Sequence, residues 1–415
     1  MMAGQDEAAR PAGSGQGTPL SGYRVVDLTS FLSGPFCTQI LADLGAEVVK
    51  VEPVEGDLSR SIPPYFVGQD SAYYLSTNRG KKSVAVDLKS PEGRDLVRKL
   101  ILEADVVVEN YRPGVARRLG LDVDELRIEN PRLIWSSISG FGQNGRWRDK
   151  PAYDMIAQAL SGVMSLTGEP GRPSVRLGIP GGDVIAGMYA VIGINAALAN
   201  RERTGLGAVV DVALLDSLLT MQSYQSAYAL IGGATPGPQG ARHDSIPTYR
   251  SFIGGDGAEL VVTANTEKMW VNFCGALGRG DLVEDGRFNS SKARLANKEA
   301  LWAIIEPIFL QRSAAEWVDA LESVEVPCAA IKTVPQALAD ARDGGRSMIV
   351  DYAMPGGETV SLVGNPVKFP ETGEVHASYP PGLGANCGDV LESWLGLGSD
   401  DVTGLLERGV LAARQ

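Results

Sequence analysis

Between Tyr23 and Gly142 the chain repeats one pattern: a valine-rich run, a helical stretch, then another valine-rich run. "YRVVDLTSF" reads as a buried strand, because its apolar residues are continuous rather than alternating. "SGPFCTQILADLGA" follows as a helix that opens on small residues and closes on glycine, and "EVVKVE" is the next strand. Strand, helix and strand within ~35 residues make a βαβ unit with a right-handed crossover. The pattern returns as "KSVAVDL", "SPEGRDLVRKLILEA" and "DVVVEN", then a helix through "GVARRLG" and a strand in "RLIWSSISGFG". Such a series leaves few folds open. It predicts a Rossmann-like open parallel sheet of class α/β over 20–145, with ligands bound beyond the carboxyl ends of the strands.

Two long apolar helices follow, "PAYDMIAQALSGVMSLTG" and one beginning at "GGDVIAGMYA". "GAVVDVALLDSLLTMQSYQSAYAL" continues as strand and helix. "IGGATPGPQGARHDSIP" is a Gly- and Pro-rich loop, and "YRSFIGGDGAELVVTA" a hairpin turning on Gly-Asp-Gly. We divide the chain into a disordered tail (1–20), a large domain (21–200, completed by about 350–415), a linker (201–224), a smaller α+β domain (225–330) and a second linker (331–349).

Composition narrows the function. The 415 residues carry 38 Lys and Arg against 50 Asp and Glu, a net charge of −12. A surface so acidic argues against general affinity for nucleic acid or anionic membranes, while leaving room for one local basic cluster. No apolar run is expected to reach the ~20 residues of a membrane span, and the first twenty residues lack an apolar signal core. Cys37, Cys274, Cys328 and Cys387 form no CxxC pair and no metal knuckle, so they read as free thiols of a cytoplasmic protein with no metal site. Only two histidines occur, His243 and His376. Chemistry must use one of them or rest on carboxylates, hydroxyls and backbone. P-loop, GxSxG, HExxH and GxGxxG motifs are absent from the sequence.

Asp183, at the mouth of an apolar helix behind Gly181 and Gly182, has two readings. It is a helix cap, or it is a nucleophile in a poorly hydrated place. In the second reading the glycines let a ligand approach, and the N–H groups of the helix start hold an oxyanion. Arg79, Lys81, Lys82 and Lys89, with Arg112, Arg117 and Arg118, read either as solvated surface or as a site for a phosphorylated ligand. Tyr153 and Asp154 begin the preceding apolar helix, as a cap or as a polar pair facing the cleft of Asp183. His243 lies in a loop.

The runs "GPFCTQILADLGAEVVKVE", "NRGKKSVAVDLKSPEGRDL", "ADVVVENYRPGVARRLG" and "GGDVIAGMYAVIGINAALANRERTGLGAVVDVALLD" resemble, in order, the class III (CaiB/BaiF) CoA-transferases, a likeness extending over about 22–412. That resemblance implies a Rossmann-like large domain and a small domain joined by two linkers, each chain a ring threaded through its partner's in an interlocked homodimer. It implies CoA exchange between an acyl-CoA and a small carboxylic acid, with Asp183 as the nucleophile and no permanently bound cofactor. Phe31, Leu32 and Ser33 match a loop facing the thioester. Val86, Lys89, Asn110, Tyr111, Arg118 and Leu119 match CoA-contacting positions, and Tyr153 with Asp154 matches a Tyr-acid pair near the nucleophile. Formyl-CoA transferase, a member, has glutamine where this chain has Leu32. It also has a run of glycines where this chain has "GGATPGPQGARHDSIP". Both differences argue against formate and oxalate, and Leu32 suggests a larger acyl group; dicarboxylates such as succinate are donors by analogy. Arg172, Arg176 and Arg242 are candidates to pair with a second carboxylate. The rivals are an α-methylacyl-CoA racemase, whose histidine is replaced here by Tyr153, and a non-catalytic CoA-binding protein in which Asp183 only caps its helix.

Overall fold

The computed structural model describes residues 17–354, 357–371 and 377–414. Most of the expected N-terminal tail, up to residue 16, and His376 lie outside the described residues. The chain divides into two compact units. The first comprises Met1–Val163, Leu177–Ser226 and Ser347–Gln415, the second Met164–Arg176 and Ala227–Arg346.

The first unit is built on a seven-stranded sheet. Its strands are β1 (Arg24–Asp27), β2 (Glu47–Glu52), β3 (Lys81–Val86), β4 (Val106–Glu109), β5 (Ile134–Ser139), β6 (Val209–Ala213) and a C-terminal strand, Leu411–Ala412. In space the C-terminal strand is followed by β3, β2, β1, β4, β5 and β6. All pairings are parallel except that of the C-terminal strand with β3. This is the 3-2-1-4-5-6 doubly wound order, and its direction reverses between β1 and β4, where such sheets bind ligands beyond the strand ends.

Continuous valine runs make this possible because successive side chains point to opposite faces. Val26, Val49, Val84 and Val107 enter one core, closed by helix α2 (Pro91–Leu102) and the helix Cys387–Leu395. Val25, Val48, Val106 and Val108 enter the other. That second core is closed by α1 (Ser33–Asp43), α3 (Asp154–Ser161), α4 (Gly181–Thr204) and α5 (Leu214–Met221). Each fully buried valine contributes roughly 2 kcal/mol.

Helix α4 is the crossover leading into β6, so it runs antiparallel to the strands and its N-terminus lies at their carboxyl ends. It corrects one expectation: an 18-residue window of mean hydropathy 1.5 makes α4 long and apolar enough to cross a membrane. Here it serves as a core helix, burying Ala186, Ala190, Ile194 and Leu198 against the sheet while leaving a second apolar face open.

The second unit carries a three-stranded antiparallel sheet, Cys328–Ala330, Glu259–Thr263 and Tyr249–Ile253. The expected Gly-Asp-Gly hairpin is present, with Gly257 at φ +79°. Helices Glu267–Ala276, Lys298–Phe309 and Ala314–Glu322 pack Trp270, Phe273, Phe309 and Trp317 into its core.

Candidate active site

The start of α4 differs from the cap reading. Pro180 is the N-cap and Asp183 is the third helical residue. The cap arrives instead from α3. Asp154 Oδ1 accepts the N–H of Gly182 at 2.7 Å and that of Asp183 at 3.3 Å. Gln158 Nε2 donates to Asp154 Oδ2 at 2.6 Å, and Gln158 Oε1 accepts the N–H of Leu177 at 2.9 Å. The N–H of Gly181 donates to Ile179 O and that of Val184 to Pro180 O. All four opening N–H groups of α4 are therefore occupied, and the expectation that they hold an oxyanion is corrected.

The two glycines serve the same arrangement. A Cβ at Gly182 would stand 2.8 Å from Asp154 Oδ1 and 3.1 Å from Leu218 Cδ1, and one at Gly181 2.7 Å from Leu177 Cδ1. They make room for the capping carboxylate and two leucines.

Relieved of capping, the Asp183 carboxyl is half-buried. Burial first, and then the Asp154 charge, raise its pKa to about 7. No cation acts on it among the described residues. Tyr73, which the sequence did not single out, senses the same site: burial and the carboxylates of Asp183, Asp57 and Asp154 push its phenol up to about 12.

Gly187, one turn after Asp183, docks α1. A Cβ there would stand 2.7 Å from Ser33 O and 3.5 Å from the Cys37 nitrogen. This close approach sets the start of α1, and with it the loop Phe31, Leu32 and Ser33, against the Asp183 end of α4. Leu32 is the N-cap of α1, and no side chain caps that helix. Phe31 has φ +64°, a left-handed conformation rare for an aromatic residue. Its ring meets Tyr153 edge-on, with centroids 6.5 Å apart. Phe31, Leu32, Ser33, Tyr153, Asp154 and Asp183 thus form one connected group.

The remaining candidates divide. Asn110 and Tyr111 follow β4 at the switch point. The Asn110 amide is engaged on both sides of Ser30, accepting from its N–H at 3.0 Å and donating to its C=O at 2.8 Å. Glu109 accepts the Tyr111 N–H at 2.7 Å. Burial raises Glu109 to about 7, against the hydrogen bonds from Ser137, Tyr111 and Trp135. A cavity of about 130 Å³ beside it is lined by Glu109, Arg112, Arg117 and Trp135. Arg118 is exposed on the short helix Val115–Arg118, and Leu119 packs on the core. Lys89 is 88% exposed, 3.9 Å from Glu55. Val86 is fully buried opposite Leu411, backbone included, and presents no surface to a ligand.

Of the basic cluster expected around β3, Arg79, Lys81 and Lys82 are taken up by carboxylates of the same unit. Arg79 grips Asp43 at 2.5 Å, Lys81 is buried against Asp27 at 3.0 Å, and Lys82 pairs with Glu47 at 2.7 Å. Arg117, itself exposed, pairs with Asp122, and Lys89, Arg112 and Arg118 are the other exposed cations of the two sets. In the second unit Arg242 pairs with Glu169 at 2.7 Å, and His243 stacks on Tyr249. Lys50 and Asp57, also missed, pair at 2.8 Å beneath the Phe31 loop. Their signal was present: Lys50 interrupts a valine run that is otherwise entirely core.

The fold and site define an α/β protein that presents, where such sheets bind ligands, a carboxylate without a cation partner among the described residues. Residues 20–387 match CoA-transferase family III. The succinate–glutarate CoA-transferase of Agrobacterium fabrum is 38% identical over 380 residues, 90% of this chain and 95% of that protein. The acetyl-CoA:oxalate CoA-transferase of Acetobacter aceti is 38% identical over 363 residues, 87% of this chain and 90% of that protein. A crystal structure of a CaiB/BaiF family protein from Brucella suis matches with a TM-score of 0.82 at 36% identity, covering 91% of this chain and 100% of that one. The chain belongs to CoA-transferase family III and is a CoA-transferase.

Proposed function

We propose that this chain exchanges CoA between carboxylic acids through covalent catalysis by Asp183. The carboxylate attacks the thioester carbonyl of an acyl-CoA, forming a mixed anhydride and expelling CoA thiolate. The thiolate then attacks the aspartyl carbonyl of the anhydride, releasing the first acid and leaving an aspartyl-CoA thioester. The acceptor acid repeats these steps in reverse: its carboxylate opens the thioester to a second anhydride, and CoA thiolate attacks the acyl carbon to give the new acyl-CoA and free Asp183. Splitting the exchange in this way replaces one difficult displacement by several easier ones. CoA is a substrate here, and no other cofactor enters the balance.

The observation that carries the reading is the division of labour between two carboxylates. Asp154 caps α4, so Asp183 has no structural duty there. A half-buried carboxylate raised to about 7 is a stronger base and nucleophile than a solvated one, and is about half ionised at neutral pH. The same division counts against a non-catalytic binder, whose aspartate would be the cap. A racemase needs a second base, and the neighbouring position is Tyr153 rather than histidine. With the N–H groups of α4 occupied, the uncapped start of α1, at Ser33 and Gly34, is the donor set for the oxyanion.

CoA lies over the switch point, on Asn110 and Tyr111, with Arg118, Leu119 and Lys89 toward its phosphates. Leu32 faces the acyl group. Relatives named for succinate and glutarate support a dicarboxylate exchange. The chain works as a homodimer of interlocked rings. The apolar face that α3 and α4 leave open, with Met155, Ile156, Met188 and the 61% exposed Ile192, fits a second copy of the chain. The four cysteines are unpaired, which suits a reducing cytoplasm. The test is incubation with succinyl-CoA followed by hydroxylamine, with mass spectrometry of the protein. We expect hydroxamate at Asp183 alone, and none in Asp183→Asn; an unmodified Asp183 during turnover overturns the mechanism. Light scattering at micromolar concentration is expected to give twice the chain mass.

A further inference from the structure

Phe31 sits in a left-handed conformation that an aromatic residue adopts only where its surroundings impose it. Those surroundings are specific. The Thr29 carbonyl accepts from the buried Lys50 ammonium at 2.8 Å, and the Thr29 N–H donates to Asp27 at 2.9 Å. The Phe31 N–H faces Asp57 Oδ1 at 3.4 Å. Ser30, the residue between, is held by the Asn110 carboxamide, which accepts from its N–H and donates to its C=O as a peptide partner would. Asn110 is itself fixed by its place in the chain, between Glu109 and the Tyr111 N–H that Glu109 accepts. Immediately beyond Phe31, Leu32 occupies the N-cap position of α1, and Ser33 O lies against the Gly187 turn of α4.

We propose that Asn110 is a positioning residue for the acyl-transfer step: by clamping both sides of Ser30 it holds Phe31 in the left-handed conformation that sets its ring against Tyr153 beside Asp183. The inference rests on the reading of Asp183 as nucleophile. It assigns Asn110 a duty distinct from touching CoA, because the bonds it makes are to the loop of β1.

A double-mutant cycle tests it. In Asn110→Ala the clamp is gone and Phe31 is free to relax. In Phe31→Gly the left-handed backbone no longer needs enforcing, since glycine adopts it without strain. The full-length enzyme is assayed for kcat with succinyl-CoA and glutarate, and for CoA affinity by calorimetry. Asn110→Ala is expected to lower kcat about 10-fold or more in the wild-type background, as displaced catalytic geometry does. It is expected to lower kcat less than ~3-fold in the Phe31→Gly background, a coupling of the size found for residues that share one interaction. Asn110→Asp keeps the acceptor for the Ser30 N–H but loses the donor, and should fall between. Equal cost in both backgrounds, or a loss confined to CoA affinity, makes Asn110 a CoA contact only and overturns the proposal. Should Asn110→Ala not fold, the same cycle run with Asn110→Asp decides. Retained exchange in Asp183→Asn would instead sink the nucleophile reading, an outcome separate from either of these.

Discussion

Asp27 and Asp183 are aspartates at the carboxyl ends of the same sheet, and their surroundings drive them in opposite directions. Burial alone would raise Asp27, but the Lys81 and Lys50 ammonium groups and the hydroxyls of Thr29 and Thr38 outweigh it and hold the carboxyl well below its usual range. Lys81 lies 3.0 Å away, and Thr38 Oγ1 donates to the same oxygen at 2.7 Å. Asp183 meets a similar loss of water with no cation among the described residues and one further carboxylate, and rises to about 7. A buried charge with complete partners is part of the scaffold. Asp183 stands outside that scaffold, and the fold can leave it so because Asp154 takes over the cap.

The sharpest way to break this comparison is to neutralise each aspartate in turn. Asp183→Asn is expected to lower CoA exchange by about 10⁴-fold or more, as loss of a covalent nucleophile does, while the variant stays folded and binds CoA. Asp27→Asn is expected to act the other way round. It leaves Lys81 and Lys50 short of a buried counter-charge and should destabilise the first unit by about 3–5 kcal/mol in urea unfolding. Equal stability of the two variants at pH 7 would dissolve the distinction.

Their pH windows should also oppose one another. Asp183 has a folded pKa above its unfolded one, so the folded state holds a proton that the unfolded chain has lost. Stability from this group is full below about pH 4 and drains away as the pH rises to about 7. Asp27 has the lower folded pKa, so its contribution is full above about pH 4 and is lost as the pH falls below that. Denaturation of Asp183→Asn against wild type should therefore show no difference at pH 4. Above pH 7 it should show a gain for the variant of a few kcal/mol, bounded by about 4 kcal/mol for a shift of this size. A gain that is the same at every pH would mean that the Asp183 carboxyl is not raised.

The parts of this molecule legible in its sequence are those fixed by local pattern. Val25–Val26 and Val48–Val49 name their strand and both of its faces without reference to any neighbour. The hairpin at Gly257 declares itself because its turn needs a left-handed residue. The illegible parts depend on residues distant in the chain. Asp183 looks like a cap because nothing nearby reveals that Asp154 already fills that place. Lys81 looks like a phosphate ligand because its partner, Asp27, lies 54 residues earlier and meets it only across the sheet. Asn110 looks like a ligand contact alone because its grip on Ser30 spans 80 residues. The family likeness pointed to Asp183 as the nucleophile we propose, and the structure shows that the cap of its helix is filled by Asp154 instead.

Asp154 tests the division of labour directly, with the smallest expected effects. Asp154→Asn keeps an oxygen to accept the Gly182 and Asp183 N–H groups and removes only the charge. Stability should then change by less than about 1 kcal/mol, while the acid limb of the kcat/KM profile, expected near pH 7 in the wild type, should move to lower pH. The move should be modest, because burial is the larger cause of the Asp183 shift and the Asp154 charge the smaller. Asp154→Ala removes the cap as well and should cost about 1 kcal/mol more, with the first turn of α4 loosened and turnover reduced beyond what the pH profile accounts for. An acid limb unmoved in Asp154→Asn would mean that the two carboxylates do not sense one another, and the cap would then be the whole of its role.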